Sequence, residues 1–307
     1  MKPASFDYFR AEKIDDALMA LAANAEAQVL AGGQSLIAMM NLRLAKPGCL
    51  IDINRLTDLD YIRPEGDELA IGALTRHTAA ASSPVVAEFC PLMTAAYDHI
   101  AHRAVRNRGS VGGNLCHADP SSENPAVAVA SGATLVLKSA DGERRVAAED
   151  FFLGLYETAA QQNELLTEIR IPKAPAHQGW SFQETSTRKG DFALVGIAAT
   201  LDCPNGTCTN ARIVAVGIFG WKNAAMAGHQ QIHTRAGHEI PPVLDIARKC
   251  RLSGIEVKRA HGLSGMQQRA DQMHGGGGFS RTAFFIAHND DLWAIFSRLI
   301  HPLSFYP

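Results

Sequence analysis

The sequence predicts an α+β fold, and three observations support this prediction. Short apolar runs typical of buried strands recur from the start of the chain to about residue 218. Segments with apolar side chains at helical spacing, such as 12–23, lie between these runs. Turns rich in glycine separate the two kinds of element. Because the predicted strands are too far apart along the chain for a simple sandwich, we expect layers of helix and sheet.

Composition narrows the class of protein. The chain has 307 residues, of which 47% are hydrophobic and 20% charged, as expected for a folded protein with room for two domains. Its 29 basic and 31 acidic residues give a net charge of −2, so no overall field would attract nucleic acid or an anionic membrane. The N-terminal segment lacks a signal-peptide pattern, and no apolar stretch reaches the roughly 18 residues of a membrane span. We therefore expect a cytoplasmic protein.

The first fifty residues predict alternating helices and strands. Apolar spacing predicts a helix over 12–23 and a buried strand over 28–31, which ends at a pair of glycines. A second helix over 35–45 and a second strand over 49–53 follow. This order of strand, glycine turn, helix and strand places backbone N–H groups beside a helix N-terminus, an arrangement that attracts phosphate.

The middle of the chain predicts further mixed structure. An alanine-rich segment, 78–101, is helical in pattern but is interrupted by Pro84 and Pro91. Around it we predict a strand over 69–75, a glycine-rich loop over 106–114, a helix over 123–131, a strand over 133–139, a turn at Asp141 and Gly142, and a strand over 165–171 closed by Pro172.

A second domain is predicted to begin near residues 172–178, which are rich in proline and small residues. Segments 192–203 and 207–218 form a plausible antiparallel hairpin about Asn205 and Gly206. We assign residues 1–175 to a first domain, with subdomains over about 1–55 and 56–175, and residues 176–307 to a second domain. This second domain is atypical after about 218, where only helices near 243–252 and 290–300 are predicted.

Two glycine segments are candidates for phosphate binding. The first, over 31–35, has neither the G-x-G-x-x-G spacing of a Rossmann fold nor the lysine of a P-loop. Alone it would usually be only a sharp turn. The second carries Gly109, Gly112, Gly113 and Asn114, and we expect its backbone amides to be unshielded as well. Two such segments suggest a diphosphate.

Ionisable side chains follow the second segment closely, namely His117, Asp119 and Glu123. A ribose or ribityl hydroxyl needs a carboxylate acceptor, which Asp119 or Glu123 could supply, so FAD fits both the phosphate and the hydroxyl requirement. The alternative for Asp119 is structural, because Asp-Pro-Ser-Ser-Glu is also good helix-capping chemistry.

Cysteines and histidines give little indication of a metal site. The six cysteines are scattered and are expected to be buried thiols, since no four are grouped as an iron–sulfur cluster requires. His229, His233 and His238 lie near glycines and are interpreted as surface or disordered residues. We expect no metal and no catalytic acid, base or nucleophile in this chain.

Residues 31–36 (AGGQSL) and 108–120 (RGSVGGNLCHADP) resemble the FAD-binding family of molybdopterin dehydrogenases. The pattern is most similar to medium subunits of carbon monoxide dehydrogenase-like and xanthine dehydrogenase-like enzymes, and it runs from residue 4 to about 217. The resemblance implies a vanillyl-alcohol-oxidase-type (PCMH-type) FAD-binding domain of two subdomains. A smaller C-terminal α+β flavoprotein domain would follow.

The resemblance also implies which residues bind FAD. The first segment would line the pyrophosphate, and further positions would contact the ribityl chain, the flavin or the adenine. Residue 101 is an alanine where relatives often carry a hydroxyl. The cofactor-binding candidates are Ala31, Gly32, Gly33, Gln34, Ser35, Leu36, Ile100, Ala101, Ser110, Gly113, Asn114, His117, Asp119, Glu123, Leu166 and Lys189.

As a function, the resemblance implies an FAD-carrying electron-transfer subunit of a multi-subunit molybdenum hydroxylase. A large partner chain would hold the molybdenum cofactor and a small one 2Fe-2S clusters, in a dimer of heterotrimers. The electron acceptor remains open among quinone, NAD and oxygen. Two alternatives stay open: a self-contained flavin oxidoreductase, and a scaffold subunit without cofactor.

Overall fold

The computed structural model describes residues 2–204 and 209–217, together with the backbone of a strand at Phe285–Ala287. Three main sheets, each packed against helices or against another sheet, build the described part of the chain. The predicted α+β class is therefore confirmed.

The first unit is a small parallel sheet. Its strands are β1 (Asp7–Arg10), β2 (Ala27–Leu30) and β3 (Cys49–Asp52), in the order β1-β3-β2, and its helices are α1 (Ile14–Ala23) and α2 (Leu36–Asn41). The predicted strands and the first helix are confirmed.

The ends of these two helices have local causes. Helix α1 begins where the Asp16 carboxylate accepts the backbone N–H of Lys13 at 3.0 Å, which satisfies one of the free amides of the first turn. Helix α2 is shorter than the predicted 35–45 because Arg43 adopts a left-handed φ of 59°, which the helix cannot continue.

The second unit is a five-stranded antiparallel sheet in the order β4-β5-β10-β6-β7. The strands predicted near 69–75, 133–139 and 165–171 and the turn at Asp141 are confirmed. The members of the sheet are β4 (Ile62–Glu65), β5 (Glu68–Gly72), β6 (Thr134–Ser139), β7 (Gly142–Ala147) and β10 (Leu165–Pro172).

Short helices cover this sheet. The predicted helical segment 78–101 is divided at its prolines, because Pro84 and Pro91 each take the first position of a new helix. The elements are α3 (His77–Ser82), α4 (Pro84–Phe89), α5 (Pro91–Ala96), α6 (Arg103–Arg106), α7 (Val111–His117), α8 (Glu123–Ala130) and α9 (Ala148–Phe151), followed by a two-stranded ribbon, β8 (Phe152–Gly154) and β9 (Glu157–Thr158).

The third unit is an antiparallel sheet of β11 (Gln178–Ser186), β12 (Ala193–Asp202), β13 (Asn210–Val216) and β14 (Phe285–Ala287), in that order. The predicted hairpin is confirmed as the β12–β13 pair. Its turn at Asn205 and Gly206 and the helices predicted at 243–252 and 290–300 lie outside the described residues. The chain passes from the first sheet to the second between β3 and β4 and from the second to the third between β10 and β11, and the division into domains stays a prediction.

Two expectations from the sequence are wrong. Residues 111–117 of the second glycine segment form helix α7 instead of a loop. Cys116, expected to be a buried thiol, lies on the exposed side of that helix, whereas Cys49 and Cys90 are buried as predicted. Cys203 is partly buried, and the remaining two cysteines lie outside the described residues.

Candidate cofactor site

The two glycine segments lie side by side. A Cβ added to Gly32 would stand 2.4 Å from the carbonyl oxygen of Arg108 and 2.7 Å from the Cα of Gly109. A Cβ added to Gly113 would be 3.6 Å from the Cβ of Ala31. The fold thus brings together two segments that are distant in the sequence, and glycine at position 32 permits this close approach.

The first segment offers free backbone donors. Within the described residues, no protein acceptor takes up the N–H groups of Gly32, Gly33, Gln34, Ser35 or Leu36. Gly33 has a φ of 71°, so its left-handed conformation favours glycine. A run of unpaired N–H groups that curves into the start of a helix is a site for a phosphate or diphosphate. These residues fit the diphosphate of FAD.

The second segment differs from the prediction that its amides are unshielded. Val111 N–H donates to Thr75 O and Gly112 N–H to Ala73 O, both at 2.9 Å, and Gly113 N–H donates to Ser110 Oγ at 3.3 Å. The reason is that α7 lies against the end of β5, whose following residues supply the acceptors. This segment therefore supports the first segment by packing.

A polar bridge, formed by Asn54 and Arg76, joins the two segments. Asn54 Nδ2 donates to Ala31 O at 2.7 Å, and Arg76 Nη2 donates to Asn54 Oδ1 at 2.8 Å. Arg76 Nη1 donates to Arg108 O at 2.6 Å. Burial lowers the pKa of Arg76, but an arginine remains charged. Neither residue was predicted to belong to the site, although each is a polar residue that closely follows a buried strand.

Glu123, another candidate cofactor residue, is buried. It is the first residue of α8 and only 6% exposed. Burial raises the pKa of its carboxyl to about 8, and the carboxylates of Glu184 and Asp119 add to the shift. Asn114, at the other glycine segment, is connected to the same helix start, because Ser122 Oγ donates to Asn114 Oδ1 at 3.0 Å.

Asp119 and His117 lie beside the ribbon that carries Tyr156. Asp119 Oδ1 accepts the N–H of Ser121 at 2.9 Å, and Tyr156 OH donates to Asp119 Oδ2 at 3.4 Å. The ring of His117 is 5.1 Å from that of Tyr156, and burial lowers the pKa of His117. Ser122, and not Asp119, occupies the N-cap position of α8. The bond from Ser121 N–H gives Asp119 a structural role in the turn before this helix, and its contact with the cofactor stays a prediction.

Ile100, Ala101 and Lys189 form a separate group. Ala101 has a left-handed φ of 45°, and Arg106 Nη1 donates to the carbonyls of Ile100 and Ala101, each at 2.7 Å. A Cβ on Gly190 would be 3.1 Å from the carbonyl carbon of Ala101. Lys189, in the same loop as Gly190, is close enough to lower the pKa of His99, although burial is the larger cause.

Leu166 is placed in the apolar core. It is 4% exposed and pairs with Leu137 across the five-stranded sheet. The adjoining Thr167 accepts the N–H of Ala73, the residue that also binds Gly112. The structure therefore connects Leu166 to the second glycine segment through the sheet, and its predicted contact with the cofactor stays a prediction.

His77 lies beneath the second glycine segment. The backbone N–H of His77 donates to the backbone oxygen of Gly109 at 3.1 Å. Its ring Nδ1 lies 3.3 Å from the Tyr97 hydroxyl. Burial, with smaller contributions from Arg106 and Arg76, lowers the pKa of His77 to about 4. A neutral imidazole therefore supports this segment at neutral pH.

This burial predicts an acid-sensitive fold. Because the pKa of His77 is lower in the folded chain than its usual value of about 6.5, its stabilisation is complete above that value and is lost as the pH falls toward about 4. We expect a loss of up to roughly 3 kcal/mol. Urea unfolding at several pH values measures how the free energy of unfolding falls toward acid pH. This fall should be smaller for His77→Gln than for the wild type or the exposed control His177→Gln. An equal loss of unfolding free energy at acid pH in all three proteins would contradict this assignment.

No three His, Cys, Asp or Glu side chains converge as metal ligands within residues 2–204 and 209–217. His229, His233 and His238 lie outside the described residues. In the same part of the chain, no helix has both the length and the apolar character that crossing a membrane requires.

Comparison with known proteins gives consistent matches. The model of the FAD-binding domain in molybdopterin dehydrogenase matches residues 4–174. The caffeine dehydrogenase subunit beta of Pseudomonas sp. (strain CBB1) is 40% identical over 254 residues, covering 82% of this chain and 85% of that protein. The carbon monoxide dehydrogenase medium chain of Hydrogenophaga pseudoflava is 38% identical over 219 residues, covering 71% and 76%.

Solved structures agree with these matches. A chain of carbon monoxide dehydrogenase from Hydrogenophaga pseudoflava superposes with a TM-score of 0.69 at 40% identity, covering 70% of this chain and 76% of that chain. A chain of quinoline 2-oxidoreductase from Pseudomonas putida 86 gives 0.67 at 38% identity, covering 71% and 76%. The matched domain contains both glycine segments.

Proposed function

Because the chain belongs to the FAD-binding family of molybdopterin dehydrogenases, we propose that it passes electrons from the iron–sulfur clusters of a partner subunit to an external acceptor. The chain is an oxidoreductase subunit and FAD is its cofactor. The molybdenum cofactor and the clusters belong to partner subunits of such complexes.

The observation that carries the proposal is the run of N–H groups from Gly32 to Leu36, which no acceptor in the described part of the chain takes up. These N–H groups suit a diphosphate, because they can donate hydrogen bonds to its oxygens. The bridge of Asn54 and Arg76 fixes the first glycine segment against the second. This arrangement supports the proposal that the pyrophosphate binds at this end of the site.

Other residues of the chain would orient the rest of the cofactor. The Glu123 carboxyl group would accept a hydrogen bond from a cofactor hydroxyl through its carbonyl oxygen. Arg106, whose Nη1 donates to the carbonyls of Ile100 and Ala101, would fix this turn beside the flavin. Lys189 would supply positive charge from the neighbouring loop. Bound FAD supplies the electron chemistry, and the protein supplies binding, orientation and electrostatics. We assign no catalytic acid or base.

The names of the relatives support the proposed partners. Several are called medium chains or subunits, which indicates a complex with a large and a small partner. We propose a cytoplasmic dimer of heterotrimers, since such assemblies usually close with two-fold symmetry.

The isolated full-length chain tests the cofactor assignment. We expect one FAD per chain, no stoichiometric iron or molybdenum, and no anaerobic flavin reduction by caffeine or carbon monoxide, the substrates named for two relatives. A colourless chain that does not take up FAD would favour the scaffold alternative. Flavin reduction by a small substrate without partners would favour the self-contained oxidoreductase.

A further inference from the structure

Three buried polar side chains meet beside the second glycine segment. They are His77 at the start of α3, Tyr97 after α5 and Asn124 in the first turn of α8, and none is more than 4% exposed. The Nδ1 atom of His77 lies 3.3 Å from the Tyr97 hydroxyl and 3.5 Å from Nδ2 of Asn124. Polar groups are costly to bury, so a polar cluster within a core calls for a specific role.

His77 contacts the second glycine segment through its backbone and its ring. Its backbone N–H donates to the backbone oxygen of Gly109 at 3.1 Å. A Cβ on Gly109 would stand 2.7 Å from Cδ2 of the His77 ring and 3.1 Å from Nε2, so the imidazole packs against the bare Cα of this glycine. Gly109 is also the residue whose Cα a Cβ on Gly32 would meet at 2.7 Å. His77 therefore lies next to the point where the two glycine segments meet.

The opposite edge of the ring connects to the start of α8. Asn124 Nδ2 can only donate, so His77 Nδ1 is the acceptor of this contact. The ring is suited to that role because burial lowers its pKa to about 4 and keeps it neutral at neutral pH. Oδ1 of Asn124 has no hydrogen-bond partner in the described part of the chain, which costs stability. The contacts of Nδ2 with His77 and Tyr97 are thus what an asparagine contributes at this position.

Glu123 lies between two residues that are each held in place. Its preceding neighbour, Ser122, donates through Oγ to Asn114 Oδ1 at 3.0 Å, and its following neighbour, Asn124, contacts His77. One contact joins the start of α8 to α7, and the other joins it to α3. Both lead to the second glycine segment, so the backbone of Glu123 is fixed relative to that segment.

We propose that His77 is a positioning residue of the FAD site, which holds Asn124, and with it the Glu123 carboxyl group, at a fixed place relative to the second glycine segment. The proposal rests on the proposed contact of Glu123 with a cofactor hydroxyl. A buried histidine that only stabilises the core would not affect FAD affinity through Glu123, and this difference can be measured.

FAD titration of the flavin-stripped full-length chain at neutral pH tests the proposal. His77→Leu removes the acceptor but keeps a bulky side chain, and it should weaken FAD binding about three- to tenfold. In the Glu123→Ala background the same change should have little further effect, because the carboxyl group that it displaces is absent. His77→Asn should recover most of the lost affinity, since its amide oxygen can lie near the place of Nδ1. His177→Leu is the exposed control.

Equal weakening by His77→Leu with and without the Glu123 carboxyl group would show a purely structural role and overturn the inference. Unchanged affinity in His77→Leu, or no recovery in His77→Asn, would do the same. If His77→Leu does not fold, as its melting curve would show, Asn124→Ala in the two backgrounds decides, because it removes the same contact from the other side. Unchanged FAD affinity of Glu123→Ala would remove the role of Glu123 and the inference with it. A wild-type chain that binds no FAD would instead overturn the proposed function as well.

Discussion

Gly32→Val is expected to yield a protein that purifies without FAD. The added Cβ would lie 2.4 Å from Arg108 O and 2.7 Å from Gly109 Cα, and both are backbone atoms that cannot rotate away. The two glycine segments would have to separate, which displaces the free N–H groups that suit the diphosphate. The ratio of flavin to protein after purification measures the effect.

Other glycines provide a graded comparison. Gly33→Val and Gly113→Val should also lower FAD content. Gly33 has a left-handed φ of 71°, and a Cβ on Gly113 would stand 2.8 Å from Ser110 Oγ. Gly179→Ala is the control, because its Cβ would lie 3.8 Å from the nearest atom, Leu201 O. Stoichiometric FAD of unchanged affinity in Gly32→Val would show that the paired segments do not form the site.

Arg76→Leu is expected to weaken FAD binding roughly ten- to a hundredfold. The change removes two charge-assisted hydrogen bonds, each worth about 1.5–3 kcal/mol, and leaves the acceptors Arg108 O and Asn54 Oδ1 without this donor. Part of that loss should appear in FAD affinity because the bridge holds one segment against the other. Fluorescence titration with FAD measures the change.

A double-mutant cycle separates the bridge from general destabilisation. If Arg76 and Asn54 act together, the combined Arg76→Leu and Asn54→Ala variant should lose less affinity than the sum of the single variants. Arg55→Leu is the matched control, since Arg55 forms an exposed ion pair with Glu12 at 3.0 Å. Equal effects of the Arg76 and Arg55 changes on FAD affinity would show that the bridge does not contribute to the site.

Local patterns predicted much of the fold. Apolar spacing correctly placed α1, β2 and β3, and the prolines at 84 and 91 correctly interrupted the helical segment. The two glycine motifs also indicated the family, which the comparisons confirm. These features depend on residues close together in the chain, so they can be read from it.

Long-range contacts could not be predicted in this way. The sequence shows the glycines at 112 and 113, but the acceptors that occupy the amides of α7 come from Ala73 and Thr75, far earlier in the chain. Gly112 is required by packing, because a Cβ there would lie 2.6 Å from that of Ala73.

Missed site residues have a related cause. Strand β11 was not predicted, since apolar residues do not alternate regularly in its sequence, and its contact with α5 forms only in the folded chain. Arg76 likewise gains its role only when the carbonyl of Arg108 comes within 2.6 Å.

Anaerobic mixing of the reconstituted complex with its substrate tests whether this chain receives electrons from the clusters of its partner. The chain would be reconstituted with the cluster-bearing and molybdenum-bearing subunits, and flavin absorbance followed in time. We expect substrate to reduce the flavin in the full complex, and we expect omission of the cluster-bearing subunit to abolish this reduction. Equal flavin reduction by the chain alone, or none in a complex whose clusters are reduced, would contradict the proposed role in electron transfer.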